Sequence, residues 1–487
     1  MFWLYRLSLS GKRRRSWFDF PLGVCYSPRL TQTDPVPTAT TDAHRAATGS
    51  GNQLLPILKN RVFMTFSLSQ AISFFGDKLN YMALLAMVSY FSVRFGWERA
   101  RTLSYFSAVA TLPVVIFGPL AGVLVDRWDR RKVMILSDAA RALLVAAIPF
   151  AALLTASMAP VYLLTFTVFS FGLFFNTARL SVIPNLVGPD RVLGANSFIS
   201  FVSRIATFLG MFLGALIVDW GLWDRVGIRP RWKAGFYIDA LTYAISFIAL
   251  VAIYRRLSVL RRTETATVRP KGTVWTVSRD RFVRLVSELR EAGQVVAREP
   301  SVFFSYVSVI ALVTVGAGLL VLYVPLIQGE RALSGLGLGT RGVGYVGAVG
   351  AIGLLISSMA YGVIGHRMRK HKVMLICFLI LGLATMGLAM VNSLVPVALL
   401  AFLAGLAMSP VFIGMDTLLH ETVPEAIRGR IFSTREWLLY LTFAITSFLA
   451  GQLTRLFPSR GILLGIGLLV AAASVVGFIL TRRSRIG

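Results

Sequence analysis

The sequence predicts an all-α integral membrane protein, with about twelve transmembrane helices arranged as two pseudo-symmetric six-helix bundles. Three observations carry that expectation. Composition comes first: 56% of the 487 residues are hydrophobic and 15% are charged, and mean hydropathy is +0.70. A soluble chain of this length has no use for so much apolar surface, so a bilayer must solvate most of it. The second observation is a repeat. Gly122-Val-Leu-Val-Asp126-Arg127-Trp-Asp129-Arg130-Arg131-Lys132 returns in weaker form as Gly362-Val-Ile-Gly-His366-Arg367-Met-Arg369-Lys370-His371-Lys372, 240 positions later. Each copy follows an apolar run of spanning length and leads through Lys-Val-Met into another, the mark of a duplicated membrane-embedded half. The third is the division of everything after Val62 into apolar runs long enough to cross a bilayer.

Taken in order, residues 1–58 form a basic tail containing Lys12-Arg-Arg-Arg15 and a Pro/Thr/Ala-rich run near Thr31–Thr48. With no helical or strand period, this tail is expected to be disordered and cytoplasmic. Spans are expected at 62–93, 103–125, 133–155, 160–180, 198–219 and 236–254, making a first bundle over 59–254. A second bundle over 301–481 has spans at 302–327, 343–365, 373–391, 394–418, 432–454 and 460–481. Between them, 255–300 is a cytoplasmic linker. Its Phe282, Leu285, Val286, Leu289, Val295 and Val296 are spaced for an amphipathic helix on the membrane surface. Residues 482–487 are a short basic tail.

A net charge of +28 on a soluble protein would point to nucleic acid. Here Lys and Arg collect in short runs between apolar segments, so no nucleic-acid partner is expected. The connections around Asp126–Lys132, Arg179–Arg191, 255–298, His366–Lys372 and Arg428–Arg435 are strongly basic, whereas Ala156–Ala159 and Asn392–Ser393 carry no charge. By the positive-inside rule both termini face the cytoplasm, in what is expected to be a bacterial inner membrane. The two cysteines, Cys25 and Cys377, are unsuited to a disulfide framework. No Gly-rich phosphate loop, metal-ligand spacing or nucleophile–base pair is evident, so neither a cofactor, a metal nor an enzyme site is expected.

Asp77 and Lys78 stand out in the first span. Arg61 and Arg94 bracket it, so Asp77 lies near the bilayer midplane, where an ionisable group is costly unless it faces a partner or water. A carboxylate reached by water alternately from either side can take up and release protons, as a proton-coupled transporter requires. The bland reading is a neutralised structural contact, but adjacent residues point about 100° apart on a helix. Arg204 and Asp239, in the fifth and sixth spans, are a candidate interior pair. Asp138 and Arg141 can meet on one helix face, with snorkelling to the nearby membrane surface the simpler explanation. Asp416, His420, Glu421 and Glu436 bracket the loop between spans ten and eleven. Phe74, Phe75, Tyr81, Phe171, Phe174, Phe175, Tyr323 and Trp437 are candidates to line an aromatic cavity, their bland role being lipid or core contact. The Gly342–Gly350 and Gly461–Gly467 stretches permit close helix approach.

The two six-span halves and the Gly-x-x-x-Asp-Arg-x-x-Arg-Arg motif between spans two and three resemble the major facilitator superfamily. Several short stretches are similar to its branch of proton-coupled macrolide and enterobactin exporters. They are Asp126–Met134, Ala178-Arg179, Ile183-Pro184, Ala195-Asn196-Ser197, Phe236–Ala240, Glu299-Pro300, Val423-Pro424 and Arg428-Gly429-Arg430. The chain departs from it in lacking a Pro in Gly210-Met-Phe-Leu-Gly214, and in having His366 opposite Asp126. The resemblance implies a cytoplasmic gate comprising Gly122, Asp126, Arg127, Arg130 and Arg131, with Arg179 and the helix beginning near Ile431 as partners; Glu436, a turn or so into that span, is placed to join the Asp126 network. Without it, those basic residues are only topogenic charges. It also implies a monomeric secondary exporter whose partners are an amphiphilic small-molecule substrate, protons and membrane lipids. A lysophospholipid transporter, suggested by Phe75-Gly76-Asp77-Lys78, and a non-transporting membrane sensor or scaffold are the alternatives.

Overall fold

The computed structural model describes residues 56–96, 98–188, 191–259, 290–291, 293–329, 335–365 and 368–483. Within helices, nothing is said of the side chains of Pro119, Val123, Asp126, Leu193, 255–259, Ala426 and 480–483. The first tail up to residue 55, most of the central linker, His366, Arg367 and the last four residues therefore lie outside the described residues.

All twelve apolar runs are helices. The first half holds α1 (Arg61–Phe95), α2 (Arg99–Arg127), α3 (Arg130–Thr155), α4 (Ala159–Val187), α5 (Val192–Val218) and α6 (Lys233–Val259). The second holds α7 (Pro300–Gln328, with a π-helical turn at Leu319–Tyr323), α8 (Gly339–Ile364), α9 (Lys370–Met390), α10 (Leu394–Thr422), α11 (Glu425–Leu453) and α12 (Ser459–Arg483). Ten of these are long and apolar enough to cross a membrane by composition alone, and the other two are α1 and α11. Those two also have spanning length, but Asp77 and Lys78 interrupt α1 and Arg428, Arg430, Arg435 and Glu436 dilute α11. Helices α4 and α11 run about two turns beyond their apolar runs, at Val187 and Glu425, because polar helix ends project past the hydrocarbon.

Local signals fix the ends. Asn60 caps α1 by accepting from the Val62 and Phe63 amides at 3.0 and 3.2 Å, and its amide nitrogen donates to Leu186 O at 2.9 Å, tying α1 to the end of α4. Gly96, at φ +68°, ends α1 in the left-handed conformation that glycine adopts without steric cost. Asp129 breaks α2 from α3: its carboxylate caps α3 at the Arg131 amide and pairs with the same residue's guanidinium at 2.9 Å.

Packing is uneven along the membrane normal. Towards the end that carries the 156–159 and 392–393 turns, one hydrophobic cluster joins both halves, including Leu84, Leu103, Val321, Leu322 and Val343. Towards the end that carries the repeated basic motif, the clusters stay within single halves: Phe63, Phe66, Val125 and Ile183 in the first, Val309, Met374, Leu418 and Val411 in the second. The halves are thus sealed together at the turn end and separate at the motif end.

Candidate functional site

Contacts across the sealed end are specific. Gln452 on α11 donates to the Tyr105 hydroxyl on α2 at 3.0 Å, and Thr454 donates to Glu98. Arg341, at the start of α8, donates to the Asp219 carbonyl at 2.9 Å, with its Nε 3.8 Å from the Asp219 carboxylate. Two glycines allow the close approach. A Cβ on Gly451 would lie 2.2 Å from Ser104 Cβ, and one on Gly344 would lie 2.4 Å from Ala215 Cβ.

Below this seal lies a cavity of about 1700 Å³ between the halves. Its lining reaches Gly122, Leu180 and Ser433 towards the motif end but stops at Leu84, Phe106 and Met211 towards the other. Trp437 crosses the gap midway, donating to Val115 O at 3.2 Å.

Asp77 and Lys78 both open onto this cavity, each half-buried. Their helix is held there by close contacts on its other faces. A Cβ on Gly210 of α5 would meet Phe75 O at 2.6 Å, and one on Gly76 would meet Thr242 Oγ1 at 2.1 Å. Span five therefore uses Gly210 and Gly214 to lie flat against α1, without the missing Pro. As adjacent helical residues, Asp77 and Lys78 do not pair with each other. Asp77 accepts a hydrogen bond from the Tyr243 hydroxyl on α6, and Lys78 makes no ion pair among the described residues.

Arg204 and Asp239 do not form the interior pair expected from sequence. Asp239 is fully buried against α1, where Asn80 Nδ2 donates to it at 2.6 Å and Thr242 Oγ1 at 3.2 Å. Arg204 instead lies on the cavity face of α5. Snorkelling of Asp138 and Arg141 is also overturned. Asp138 is 0% and Arg141 6% exposed; they form a buried ion pair, with Ser246 donating to Asp138 at 2.6 Å. The Arg141 guanidinium is sandwiched over Tyr243 and Phe175, 4.3 and 4.6 Å from the ring centroids. Burial is tolerated because the charge is paired, hydrogen-bonded and covered by π faces. A continuous polar chain results: Ser246, Asp138, Arg141, Tyr243, Asp77.

Of the residues expected to form a gate, Gly122, Arg179 and Glu436 line the cavity. Arg179 stacks 5.3 Å over Phe74. Arg131 ties α3 to α6 by lying 4.8 Å over Tyr254. Arg127 and Arg130 are placed at the motif end, whereas the Asp126 side chain lies outside the described residues, so the expected Asp126–Arg179 contact is not tested. At the loop between α10 and α11, Arg435 pairs with Asp416, and Lys370 with Glu421 at 2.5 Å. Among the expected aromatics, Phe74, Tyr81 and Trp437 line the cavity, joined by Phe106, Phe169, Phe208, Tyr440 and Phe443. Phe75, Phe171, Phe174, Phe175 and Tyr323 do not. Phe175 packs under Arg141 and Tyr323 is buried in the sealed-end core. Tyr243 and Asn80 are not singled out by the sequence, which reads Arg141 only as the partner of Asp138. Tyr243 follows Asp239 by one helical turn and so shares its face, a signal that was legible.

The family model of the Major Facilitator Superfamily matches residues 66–343 and 334–486. The multidrug efflux pump Tap of Mycolicibacterium fortuitum is 24% identical over 389 residues, covering 78% of this chain and 87% of that protein. An uncharacterised MFS-type transporter of Bacillus subtilis, YfiS, is 25% identical over 391 residues, 77% of this chain and 83% of its own. Among solved structures, the nucleoside transporter NupG superposes with a TM-score of 0.64 at 13% identity, over 88% of this chain and all of that one. An inward-facing, unoccupied bacterial homologue of the lysosomal transporter Spinster gives 0.57 at 13% identity, over 86% and 94%. These two likenesses concern the fold. With twelve helices in two halves and a family match along nearly all of the described chain, this protein is a multi-pass membrane transporter belonging to the Major Facilitator Superfamily.

Proposed function

We propose that this transporter is a proton-coupled exporter of amphiphilic or lipophilic small molecules, working by alternating access. The observation that carries the reading is Asp77, half-buried, midway along α1 and open to a cavity that is sealed at one end. The cavity can admit solutes only from the motif end, which the excess of Lys and Arg assigns to the cytoplasm, so the conformation is read as inward-open. Rocking the halves about the cavity would break the Gln452–Tyr105, Thr454–Glu98 and Arg341–Asp219 contacts and bring the motif ends together. Asp77 would then exchange protons with the outer side. Relatives named as multidrug efflux pumps favour export.

Reconstituted protein should move an uncharged lipophilic dye such as Nile red when driven by an imposed pH gradient, with proton movement that disappears in Asp77→Asn. Undiminished gradient-driven transport by that variant removes Asp77 from the mechanism. A second reading, lysophospholipid transport, is favoured by the occurrence of both charge signs beside an apolar wall. Measuring lysolipid and dye movement side by side separates them, and indifference to lysolipid eliminates the second. In this reading both termini face the cytoplasm across a bacterial inner membrane, the protein acts as a monomer, and no enzymatic step, cofactor or metal is invoked. A sensor or scaffold role would need the basic tail, and transport unaffected by deleting residues 1–55 would remove its main support.

A further inference from the structure

The charges around the cavity are distributed unequally. Among the described lining residues, Asp77, Lys78, Arg141, Arg179 and Arg204 belong to the first half, and Glu436 is the only charged one in the second. Arg141 is neutralised by Asp138, and Asp77 already accepts the Tyr243 hydroxyl. Lys78 and Arg204 have no ion-pair partner among the described residues. Nε and Nη1 of Arg179 are buried without a hydrogen-bond partner, although its plane is covered by Phe74. Three cations thus face the cavity from one wall. Opposite them the second half offers Leu354, Leu355, Trp437 and Phe443.

We infer that the cargo is an amphiphile carrying one anionic group, seated on Lys78, Arg179 and Arg204, with its apolar body against the second-half wall. This rests on the transport reading above and adds the sign and position of the cargo's charge. A half-buried guanidinium with unsatisfied N–H groups gains from a ligand that accepts them, and its planar fork matches a carboxylate, phosphate or sulfonate. A cationic cargo would instead meet three like charges on that wall, with Asp77 already accepting the Tyr243 hydroxyl, and would satisfy none of the unmet donors. Exporting an anion in exchange for an entering proton also moves both charges down an inside-negative potential, so the driving force includes the voltage as well as the pH gradient.

The test uses the full-length protein in nanodiscs and two probes of equal chain length, dansyl-labelled undecanoic acid and dansyl-labelled undecylammonium, read by energy transfer from tryptophan. The carboxylate probe should bind at least about tenfold more tightly than the ammonium, and Arg179→Gln and Arg204→Gln should each weaken it by roughly tenfold. Arg204→Lys should recover part of the loss, and because Arg204 faces the open cavity its substitution leaves the core intact. Competition by lysophosphatidate but not by palmitate would assign the anion to a phosphate headgroup, and the reverse to a free carboxylate; either supports the seat. Equal or tighter ammonium binding, or carboxylate binding unchanged in both Gln variants, overturns it. If the ammonium probe is carried in an Asp77-dependent, proton-driven way, the transport reading stands and only the anionic seat falls.

Discussion

Wedging the sealed end open isolates the conformational equilibrium from the stability of either bundle. Gly344 and Gly451 lie at contacts between halves, so a methyl group added to each presses on the other half and not on its own. The new Cβ atoms would sit 2.4 Å from Ala215 Cβ and 2.2 Å from Ser104 Cβ. Ordinary carbon contacts are about 3.5–4.0 Å, so each wedge needs roughly 1.1–1.8 Å of separation. Overpacking on this scale costs about 1–3 kcal/mol when it cannot relax. Under the proposed alternating access it relaxes as the halves rock apart, so the cost falls on the state closed at the sealed end, read above as inward-open. The ratio of inward-open to outward-open protein should fall about five- to 150-fold for each of Gly344→Ala and Gly451→Ala, and further when they are combined. Spin labels at Leu154 and Leu456, both exposed at the sealed end, should acquire a longer distance component. Labels at Trp128 and Met368, exposed at the motif end, should acquire a shorter one. Unchanged distributions at both ends, with folded protein, would refute rocking about this cavity.

Other outcomes follow from the same geometry. Asp138→Ala strands the buried Arg141 charge and should cost about 3–5 kcal/mol of stability, read as a lowered melting temperature in detergent. Gly210→Ala should lose about 1–3 kcal/mol, because its Cβ would meet the Phe75 carbonyl at 2.6 Å and backbone cannot rotate away; a melt at wild-type temperature contradicts that packing. At the sealed end, Arg341 donates to the Asp219 backbone carbonyl, so Arg341→Gln should increase opening of that end in the spin-label assay while Asp219→Asn should not at neutral pH. Burial raises the Asp219 carboxyl above its ordinary value, with Arg341 and Arg231 pulling it back. The sealed state therefore takes up that proton before a state in which Asp219 faces water. Acidifying the outer side from the raised value down to about 4 should favour sealing, and Asp219→Asn should abolish the dependence.

The helices were legible because hydropathy and the duplicated motif act over whole turns. Even α1 and α11, which a strict composition window leaves out, are legible as apolar runs of spanning length at 62–93 and 432–454. The side-chain partners were less legible, because helical periodicity gives a face but not what that face meets. Asp239 and Arg204 look equally interior in sequence, yet one is sealed against Asn80 and the other opens onto the cavity. Asp138 and Arg141 lie close enough to the motif end to snorkel. They stay inside because Ser246, Tyr243 and Phe175, from two other helices, solvate them. Among the aromatics, Phe74 and Phe75 are neighbours in sequence but differ by a third of a helical turn, so only the first reaches the cavity. The sealed-end glycines resembled ordinary packing glycines, since nothing local distinguishes contact within a bundle from contact between bundles.

Alternating access requires water to reach residue 77 from one side at a time. The most direct measurement places Cys at position 77 in protein whose Cys25 and Cys377 are replaced by Ser and Ala, and follows its reaction with a membrane-impermeant maleimide from each side. It should react from the motif side in the otherwise unaltered protein and from the opposite side once Gly344→Ala and Gly451→Ala are added. Reaction from neither side in either background would mean that the carboxylate sits in dry protein, and that alternating solvent access cannot drive transport here.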